Sequence, residues 1–252
     1  AENFQFPISN FQIIAIEKDS KLVADLRSKI YDLGLKNIEI IEGDALKLLP
    51  KLINSILGTS DVPDIKNNFR TSDVQKLKIV GNIPYYITGH LFRVIGDLEI
   101  KPSLIVFTVQ KEVAERITAE PPRRRGQAHM NLLAASVQFW AKPEIIEYIS
   151  KSDFRPEPKI DSAIIKFNIK TSDVRRTSDV QKLKYYELIK IIFKQPRKTI
   201  LNNLISGFRN LKREEIIKKL EKVGANPNDR PQNLKIKQLS RLSQLIQLDN
   251  FN

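Results

Sequence analysis

A stretch of seven residues, 81–87, reads GNIPYYI and places hydrogen-bond acceptors beside aromatic rings. The apolar run 77–80 before it predicts a buried strand, which Pro84 stops while it holds the preceding residue extended. The Asn82 amide is therefore presented at the carboxyl end of a strand, next to the ring of Tyr85. Acceptors beside a flat ring suit a planar base with an exocyclic amino group. A strand-end turn with core tyrosines is an equally good interpretation of these residues alone.

Two carboxylates follow earlier predicted strands. Glu17 follows the apolar run 11–16, and Asp44 follows the run 38–41. In open α/β sheets, ligands bind beyond the carboxyl ends of the strands. A carboxylate there can accept from both hydroxyls of a ribose, and an aspartate after the next strand can accept from an adenine amino group. Together with Asn82 they predict a nucleoside-containing cofactor, although each carboxylate alone fits equally well as a helix N-terminal residue.

Hydrophobic periodicity predicts an α/β sandwich around a mostly parallel sheet, followed by a small all-helical domain. Ser20 is the predicted cap of the first helix, and Gly34 is its predicted stop. The last two strands, 144–149 and 163–169, are expected to pair antiparallel. Further strands are predicted at 11–16, 38–41, 77–80 and 104–109, and later helices at 45–57, 90–95, 110–117 and 130–140.

We predict three parts of the chain: an α/β domain at 1–170, a linker at 171–184 and a basic helical domain at 185–252. The nine residues RTSDVQKLK occur at both 70–78 and 176–184. The copies are neither regularly spaced nor long enough to form a structural repeat. They indicate duplicated insertions in the linker and in a loop at about 58–76, because lengthening a surface loop costs little free energy.

Composition narrows the classes of protein to which the chain can belong. With 252 residues, 41% hydrophobic and 28% charged, it can bury one large core or one core plus a small satellite domain. No apolar run is long enough to cross a membrane. The absence of cysteine excludes disulfides and thiolate metal sites, and with His90 and His129 as the only histidines we expect no metal site.

The net charge of +13 indicates a polyanionic partner, of which nucleic acid is the commonest. The positive charge is concentrated toward the end of the chain, since residues 185–252 contain 14 Lys and Arg against 6 Asp and Glu. The same excess would also serve general solubility. Charge alone therefore does not specify a function.

Several motifs, spread over nearly the whole chain, resemble those of the ribosomal small-subunit RNA adenine dimethyltransferase family (KsgA type). The NIPY sequence at 82–85 resembles the motif of adenine-N6 methyltransferases. Further matching segments are IAIE at 14–17, EGDA at 42–45, VQKEV at 109–113, FRPEPKIDSA at 154–163 and FKQPRKTI at 193–200. Each motif alone is weak, but together they are specific. The resemblance implies a Rossmann-like methyltransferase sheet with a small helical C-terminal domain.

The resemblance implies S-adenosylmethionine as the cofactor. The implied substrate is a pair of adjacent adenosines near the 3′ end of small-subunit rRNA, each of which receives two methyl groups. Glu17 would hold the cofactor ribose and Asp44 its adenine, with Asn82 between the cofactor and the target base. The immature small ribosomal subunit is the implied partner, and we expect a cytoplasmic monomer that does not associate with a membrane.

The resemblance also implies how the target adenine is handled. Its amino nitrogen is a poor nucleophile because the lone pair is delocalised into the ring. Acceptors at Asn82 and at the Ile83 or Pro84 carbonyl would bind its hydrogens and aim the lone pair at the methyl group. Tyr85 would stack on the extruded base, and Phe154 would close its other face. Without the resemblance, Phe154 would be interpreted as a core residue.

Candidate phosphate contacts are basic residues, each of which fits equally well as solvated surface. They are Arg123, Arg124, Arg125, Arg197, Lys198, Lys212 and Arg213. The sequence departs from the family at Tyr86, where Asn is common. A larger departure is that no glycine precedes Gly34, so the first strand and the glycine-rich loop that approaches the methionine part of the cofactor have no counterpart. We therefore expect weak or no cofactor binding by this chain.

Two other functions are consistent with the sequence. A non-catalytic RNA-binding ribosome-assembly factor is consistent with the missing loop. The related Erm-type enzymes modify adenine in large-subunit rRNA. The segment 193–200 and the basic helical tail favour the small-subunit type.

Overall fold

The structure is a computed structural model that describes residues 12–56, 77–99, 101–122, 129–170 and 179–246. By its internal contacts the chain forms two compact units, Ala1–Val74 and Gln75–Asn252. The predicted insertion loop at about 58–76 lies outside the described residues. No helix in the described segments is long and apolar enough to cross a membrane.

The first unit contains two strands, each followed by a helix. Its elements are β1 (Ile13–Glu17), α1 (Ser20–Asp32), β2 (Ile38–Glu42) and α2 (Ala45–Ile56). The two strands pair in parallel, from Ile13 opposite Ile38 to Glu17 opposite Glu42. Because the strands are parallel and in register, the residues that follow them emerge at the same edge of the sheet.

The cap of α1 differs from the predicted one. Asp19 is the N-cap, since its Oδ1 accepts hydrogen bonds from the N–H groups of Lys21 at 2.9 Å and Leu22 at 3.3 Å. A carboxylate satisfies the free N–H groups at a helix start and is stabilised by the helix dipole. The prediction of Ser20 as the cap is therefore wrong. The predicted stop at Gly34 is confirmed by its φ of 63°, a left-handed conformation that glycine adopts without steric cost.

The second unit is built around a four-stranded sheet of mixed direction. Its elements up to residue 169 are β3 (Lys78–Asn82), α3 (Thr88–Asp97), β4 (Leu104–Gln110), α4 (Lys111–Thr118), α5 (Leu132–Trp140), β5 (Ala141–Ile149) and β6 (Ser162–Ile169). The strand order is β3-β4-β6-β5. The β3–β4 ladder is parallel, whereas β4–β6 and β6–β5 are antiparallel. The predicted antiparallel pair is confirmed. The expectation of a mostly parallel sheet is wrong for this unit, because β6 inserts between β4 and β5 without a crossover helix.

Four buried aromatic side chains fix the helices α3 and α5 against this sheet. The ring of Phe167 lies 5.2 Å from Phe92, 5.9 Å from Phe107 and 5.8 Å from Trp140, measured between ring centroids. All four are buried. Packed aromatic pairs are stabilised beyond the area that they bury. Because α3 follows directly on the turn after β3, this cluster fixes the far end of the turn that carries Asn82.

The remaining helices extend the core that α5 begins, and the first and last of them pack on α5. They are α6 (Asp179–Ile192), α7 (Ile200–Gly207), α8 (Arg213–Lys222) and α9 (Ile236–Leu245). The ring of Tyr185 stacks on Phe139 of α5 at 4.0 Å, and its hydroxyl donates to the Ala135 carbonyl at 2.9 Å. Buried apolar residues of α5 and of these helices form one core. Residues 179–184 of the predicted linker belong to α6, while 171–178 lie outside the described residues. The division into domains stays a prediction.

Candidate active site

The turn after β3 is anchored to the neighbouring strand on both sides of Asn82. Asn82 lies opposite Thr108 of β4, and the Ile83 N–H donates to the Thr108 carbonyl at 3.0 Å. A Cβ on Gly81 would lie 2.8 Å from the Ile83 Cδ1, so glycine at this position leaves room for Ile83 to pack under the turn. Ile83 is buried and Asn82 is exposed. The backbone is thus held in place while the Asn82 amide stays accessible to a ligand.

The Pro84 carbonyl is used by the turn itself. It accepts hydrogen bonds from the Ile87 N–H at 3.1 Å and from the Thr88 hydroxyl at 3.2 Å. A carbonyl oxygen has two lone pairs, and both lone pairs of the Pro84 carbonyl are used by these bonds. The Pro84 carbonyl therefore cannot accept a further hydrogen bond from a base. No hydrogen bond between described residues uses the Ile83 carbonyl. Of the two carbonyls that the sequence left open, Ile83 is the one that can accept from a ligand.

Asn82, Pro84, Tyr85 and Phe154, which the sequence singled out separately, line one cavity. Its volume is about 240 Å³, and Ile83 and two further prolines, Pro156 and Pro158, complete the described lining. This is below the roughly 300–1,000 Å³ of sites for drug-sized ligands, so the cavity has room for a group of about the size of a single base. Tyr86 is not part of the described lining. The arrangement combines an amide with two aromatic rings and apolar walls.

Phe154 is held at the cavity by the loop between β5 and β6. The Phe154 N–H donates to the Lys151 carbonyl at 3.2 Å, which closes a 3₁₀ turn. The Lys151 N–H donates to Asp161 Oδ1 at 3.2 Å, and the Asp161 carbonyl accepts from the Lys111 N–H at 3.0 Å. These bonds tie the loop to itself and to the start of α4. The half-buried Phe154 ring is therefore positioned by hydrogen bonds as well as by packing.

In the first unit, Glu17 follows β1 and its carboxylate is fixed by the chain that comes next. Its Oε1 accepts from the N–H groups of Lys18 at 2.7 Å and Asp19 at 2.8 Å. The Glu17 carbonyl accepts from the Gly43 N–H at 2.8 Å, which joins the ends of β1 and β2. Within the described chain, Oε2 of Glu17 makes no hydrogen bond. This oxygen can accept from a ribose hydroxyl while Oε1 stays bonded to the backbone.

Asp44 follows β2 and bonds to the start of α2. Its Oδ1 accepts from the Leu46 N–H at 2.9 Å, and its carbonyl accepts from the Leu48 N–H at 2.9 Å. Gly43 has a φ of 152°, and a Cβ there would lie 2.7 Å from Leu48 Cδ1, so a side chain before Asp44 would be strained. The helix-cap interpretation of Asp44 is thus correct, and its Oδ2 makes no hydrogen bond to a described residue. This Asp44 oxygen can therefore accept a hydrogen bond from a ligand.

The basic residues predicted to contact phosphate lie in different parts of the chain. Arg197 and Lys198 lie on the turn between α6 and α7, while Lys212 is the N-cap of α8 and Arg213 is its first residue. All four are exposed. The arginines at 123–125 lie outside the described residues.

Sequence reasoning missed Asn203, a polar residue that is 4% exposed and lies among buried apolar residues of α7. Its side chain bonds to the turn that carries Arg197 and Lys198. A signal was available, because an asparagine between Leu201 and Leu204 falls on the apolar face of the predicted helix. Buried polar groups are almost always hydrogen-bonded, which makes such a residue a candidate for fixing a loop.

Comparison with known proteins identifies the family. A family model described as ribosomal RNA adenine dimethylase matches residues 8–248. Ribosomal RNA small subunit methyltransferase A of Dehalococcoides mccartyi (strain CBDB1) is 32% identical over 231 residues, which cover 92% of this chain and 70% of the relative. The protein of the same name from Mycoplasma mycoides subsp. mycoides SC is 31% identical over 243 residues, which cover 95% of this chain and 80% of the relative.

Two solved structures share the fold. The dimethyladenosine transferase from Plasmodium falciparum matches with a TM-score of 0.67 at 23% identity, over 92% of this chain and 80% of that chain. The 23S rRNA methyltransferase ErmE matches with a TM-score of 0.60 at 21% identity, over 93% of this chain and 81% of that chain. The predicted Rossmann-like methyltransferase fold with C-terminal helices is confirmed. The chain belongs to the ribosomal RNA adenine dimethylase family.

Proposed function

We propose that the chain dimethylates two adjacent adenosines of small-subunit rRNA, with S-adenosylmethionine as the methyl donor. The observation that carries the proposal is the cavity in which Asn82, Tyr85 and Phe154 come together, in a member of this family. The names of the relatives support the small-subunit substrate. An immature small ribosomal subunit is the proposed partner, and a monomeric protein in the cytoplasm is part of the same proposal.

The target adenine enters the cavity after it leaves the base stack. Tyr85 stacks on one face of the ring and Phe154 closes the other, which orients the amino group toward the end of β3. The Asn82 amide oxygen and the Ile83 carbonyl accept hydrogen bonds from its two hydrogens. These two hydrogen bonds hold the hydrogens of the amino group away from the path of the methyl group. The nitrogen lone pair then points toward the methyl donor. Positioning of this kind supplies most of the rate without a metal or a covalent intermediate.

S-adenosylmethionine supplies an electrophilic sulfonium methyl group when it is bound. Glu17 would hold the ribose through Oε2, and Asp44 would hold the adenine amino group through Oδ2. Both carboxylates are held by backbone N–H groups through their other oxygen, so they do not reorganise when a ligand binds. On the family resemblance alone, we also propose Asn82 as a contact for the donor.

With the donor bound, the nitrogen lone pair would form the new N–C bond as the S–CH₃ bond breaks, the electron pair of that bond would stay on sulfur in S-adenosylhomocysteine, and the nitrogen would release one proton to solvent. After the first transfer the amino nitrogen keeps one hydrogen, and a second methyl group must be accommodated beside it. One acceptor then suffices to orient the nitrogen, and we assign this role to the Asn82 side chain because it can rotate about χ2 whereas the Ile83 carbonyl is fixed. The apolar walls formed by Pro156 and Pro158 tolerate the methyl group. The cavity thereby accepts the monomethylated base as a substrate.

The proposal is tested by methyl transfer from radiolabelled S-adenosylmethionine, at saturating donor, to unmethylated small subunits and to large subunits. We expect label in small-subunit rRNA with the unchanged chain, and labelling about 10²- to 10³-fold slower with Asn82→Ala. Label in large-subunit rRNA would instead indicate an Erm-type activity. Binding to small subunits without any label would indicate an assembly factor and contradict the proposal.

A further inference from the structure

A second cavity lies in the unit Gln75–Asn252. Its volume is about 640 Å³, and it shares no described lining residue with the cavity beside Asn82. One part of its lining comes from α5 and the chain between α4 and α5, and the other part comes from the chain that leads into α9. The volume lies within the roughly 300–1,000 Å³ of ligand sites. The proposed methyl transfer uses no residue of this cavity.

Gln138 of α5 gives the cavity one fixed hydrogen-bond acceptor. Its Nε2 donates to the carbonyls of Ile117 at 2.9 Å and Ala119 at 2.8 Å, so both hydrogens of the amide are used. No hydrogen bond within the described chain uses its Oε1. The two bonds to the backbone hold the plane of the amide and decide which end is the oxygen. A ligand at Oε1 must therefore present a donor.

Apolar side chains in the same part of the lining form a stable wall. Pro121 and Pro122 are half-buried, and Met130 is 3% exposed. The Met130 N–H donates to the Glu120 carbonyl at 3.2 Å, which joins the two segments of the wall. The proline rings restrict the backbone of their segment further. Apolar walls of this kind pack against the face of a planar base.

The part of the lining beside α9 supplies donors and positive charge. Lys235 is exposed, and no ion pair in the described part of the chain engages it. The first turn of α9 contains no acidic residue, and the N–H groups of Ile236 and Lys237 make no hydrogen bond to a described residue. The helix dipole adds to the positive charge there. The amide of the exposed Asn233 can donate as well.

The polar groups of the cavity are thus separated by sign. The acceptors, Gln138 Oε1 and the carboxylate of Glu120, belong to the part of the lining with the proline wall. The ammonium group of Lys235 belongs to the other part. A matching ligand has a flat body with an N–H donor at one end and an anion at the other.

We propose that this cavity is a second ligand site, which binds a nucleotide. The base lies against Pro121 and Pro122 and donates to Gln138, while the phosphate is bound by Lys235 and the first N–H groups of α9. All four bases of RNA present an N–H group, so the site recognises a nucleotide more than a particular base. The cavity is more than twice as large as the one beside Asn82, which leaves room for the sugar and the phosphate.

The nucleotide can be free in solution or part of an unpaired RNA strand, since the groups that bind it are the same. The inference does not depend on the proposed function, because none of the residues that carry it takes part in the methyl transfer. Its tests use binding alone as the readout.

The ligand chemistry is tested by calorimetry with cytidine 5′-monophosphate (CMP). Cytosine is neither part of S-adenosylmethionine nor the target base, so CMP is not a substrate analogue of the active site. We expect one CMP to bind per chain and cytidine, which lacks the phosphate, to bind about tenfold more weakly. The 5′-monophosphate of pyrimidin-2-one riboside has no N–H donor on its ring and should bind about three- to tenfold more weakly. Equal affinity for all three compounds would overturn the proposal.

The location is tested with two exposed residues whose replacement does not disturb the core. Lys235→Gln should weaken CMP binding about tenfold and remove the advantage of CMP over cytidine. Asn233→Ala should weaken it about three- to fivefold. Lys237→Gln and Asn228→Ala are matched controls, because both residues are exposed and neither is part of the described lining. The controls should change the affinity less than about twofold. Unchanged affinity in Lys235→Gln would refute the assignment.

Asn82→Ala shows whether CMP occupies the active-site cavity instead. We expect this variant to bind CMP as the unchanged chain does, because the two cavities share no described residue. A loss as large as that in Lys235→Gln would contradict the proposal.

A single-stranded pentanucleotide of cytidines separates the two sources of the nucleotide. If it binds no more tightly than CMP and loses the same factor in Lys235→Gln, a free nucleotide is sufficient. If it binds more than about tenfold more tightly than CMP with the same sensitivity to Lys235→Gln, the ligand is a nucleotide within an RNA strand. Both results support the site. Absence of CMP binding, together with a pentanucleotide affinity that neither Lys235→Gln nor Asn233→Ala changes, would overturn it.

Discussion

Truncation of Tyr85 to alanine should separate a base-stacking residue from an ordinary surface tyrosine. Tyr85 is 42% exposed and lines the cavity beside Asn82, whereas the adjacent Tyr86 is 80% exposed and is not part of the described lining. Tyr86→Ala is therefore a matched control with the same chemical change one residue away. Tyr85→Phe keeps the ring and removes only the hydroxyl.

The expected size of the effect follows from the exposed ring. Stacking of a base on an aromatic side chain contributes about 1–3 kcal/mol, which corresponds to about 5- to 150-fold in affinity. Because nearly half of the Tyr85 side chain is exposed, its truncation should lower the free energy of unfolding by only about 1 kcal/mol. Tyr85→Ala should therefore lose much more activity than stability. The activity of Tyr85→Phe should stay within about threefold of that of the unchanged chain.

The assay measures kcat/KM for methyl transfer to unmethylated small subunits, with thermal unfolding of each variant as the stability control. A second readout that does not need the donor is the fluorescence of a 2-aminopurine placed at the target position of the rRNA, which is quenched by stacking. If Tyr85→Ala retained normal transfer and quenching, or if Tyr86→Ala lost as much, the assignment of Tyr85 to the base would be refuted.

Three further predictions concern the acceptor and the core. Asn82→Ala should lower methyl transfer by about 10²- to 10³-fold with little change in melting temperature, and near-normal transfer would reject Asn82 as an acceptor. Tyr185→Phe should lower the free energy of unfolding by about 1 kcal/mol in a denaturant titration, because the bond to the Ala135 carbonyl is lost, and an unchanged midpoint would contradict this. Burial, followed by the charge of Lys182, lowers the pKa of Lys101 from 10.5 to about 8. The unfolded state then binds more protons than the folded state above pH 8, so stability should rise with pH from about 8 to 10, and Lys101→Met should flatten that rise. The same slope in the variant would show that another group is responsible.

Much of the fold was predictable because each element is specified locally. The apolar run 77–80 and Pro84 predicted a strand end at Gly81, and the strand ends at Asn82. Gly34 ends α1 in the left-handed conformation that few other residues adopt easily. Asn82 and Tyr85 are close in sequence, so their common location needed no knowledge of the tertiary structure. Phe154 is far from them in sequence, and its place beside Tyr85 depended on the family resemblance.

What the sequence did not reveal depends on contacts between distant residues or on competition between neighbouring hydrogen-bond acceptors. Asp19 and Ser20 are both good caps, and only the geometry of the chain after β1 decides between them. The Pro84 carbonyl was a candidate acceptor until the turn that it closes was known. Asn203 could not be connected to Arg197 before the helix placed it beneath the turn. The insertion of β6 between β4 and β5 likewise follows from packing and not from periodicity.

Neither the fold nor the family membership tests the roles of individual site residues. The roles of Glu17 and Asp44 toward the cofactor, of Asn82 toward the base and of the basic residues toward RNA stay predictions. The expectation of weak cofactor binding is opposed to the proposed methyl transfer, and calorimetry distinguishes the two. Micromolar affinity for S-adenosylmethionine would contradict that expectation and support the proposed function.

The central claim, that this chain dimethylates two adjacent adenosines in small-subunit rRNA, is tested most directly by mass spectrometry of the modified RNA. Unmethylated small subunits are incubated with the chain and a deuterated methyl donor, and the rRNA is digested and sequenced by fragment mass. The account predicts N6,N6-dimethyladenosine with four labelled methyl groups on two neighbouring positions near the 3′ end. Labelled methyl groups on a single adenosine, on another nucleotide or only on large-subunit rRNA would contradict it.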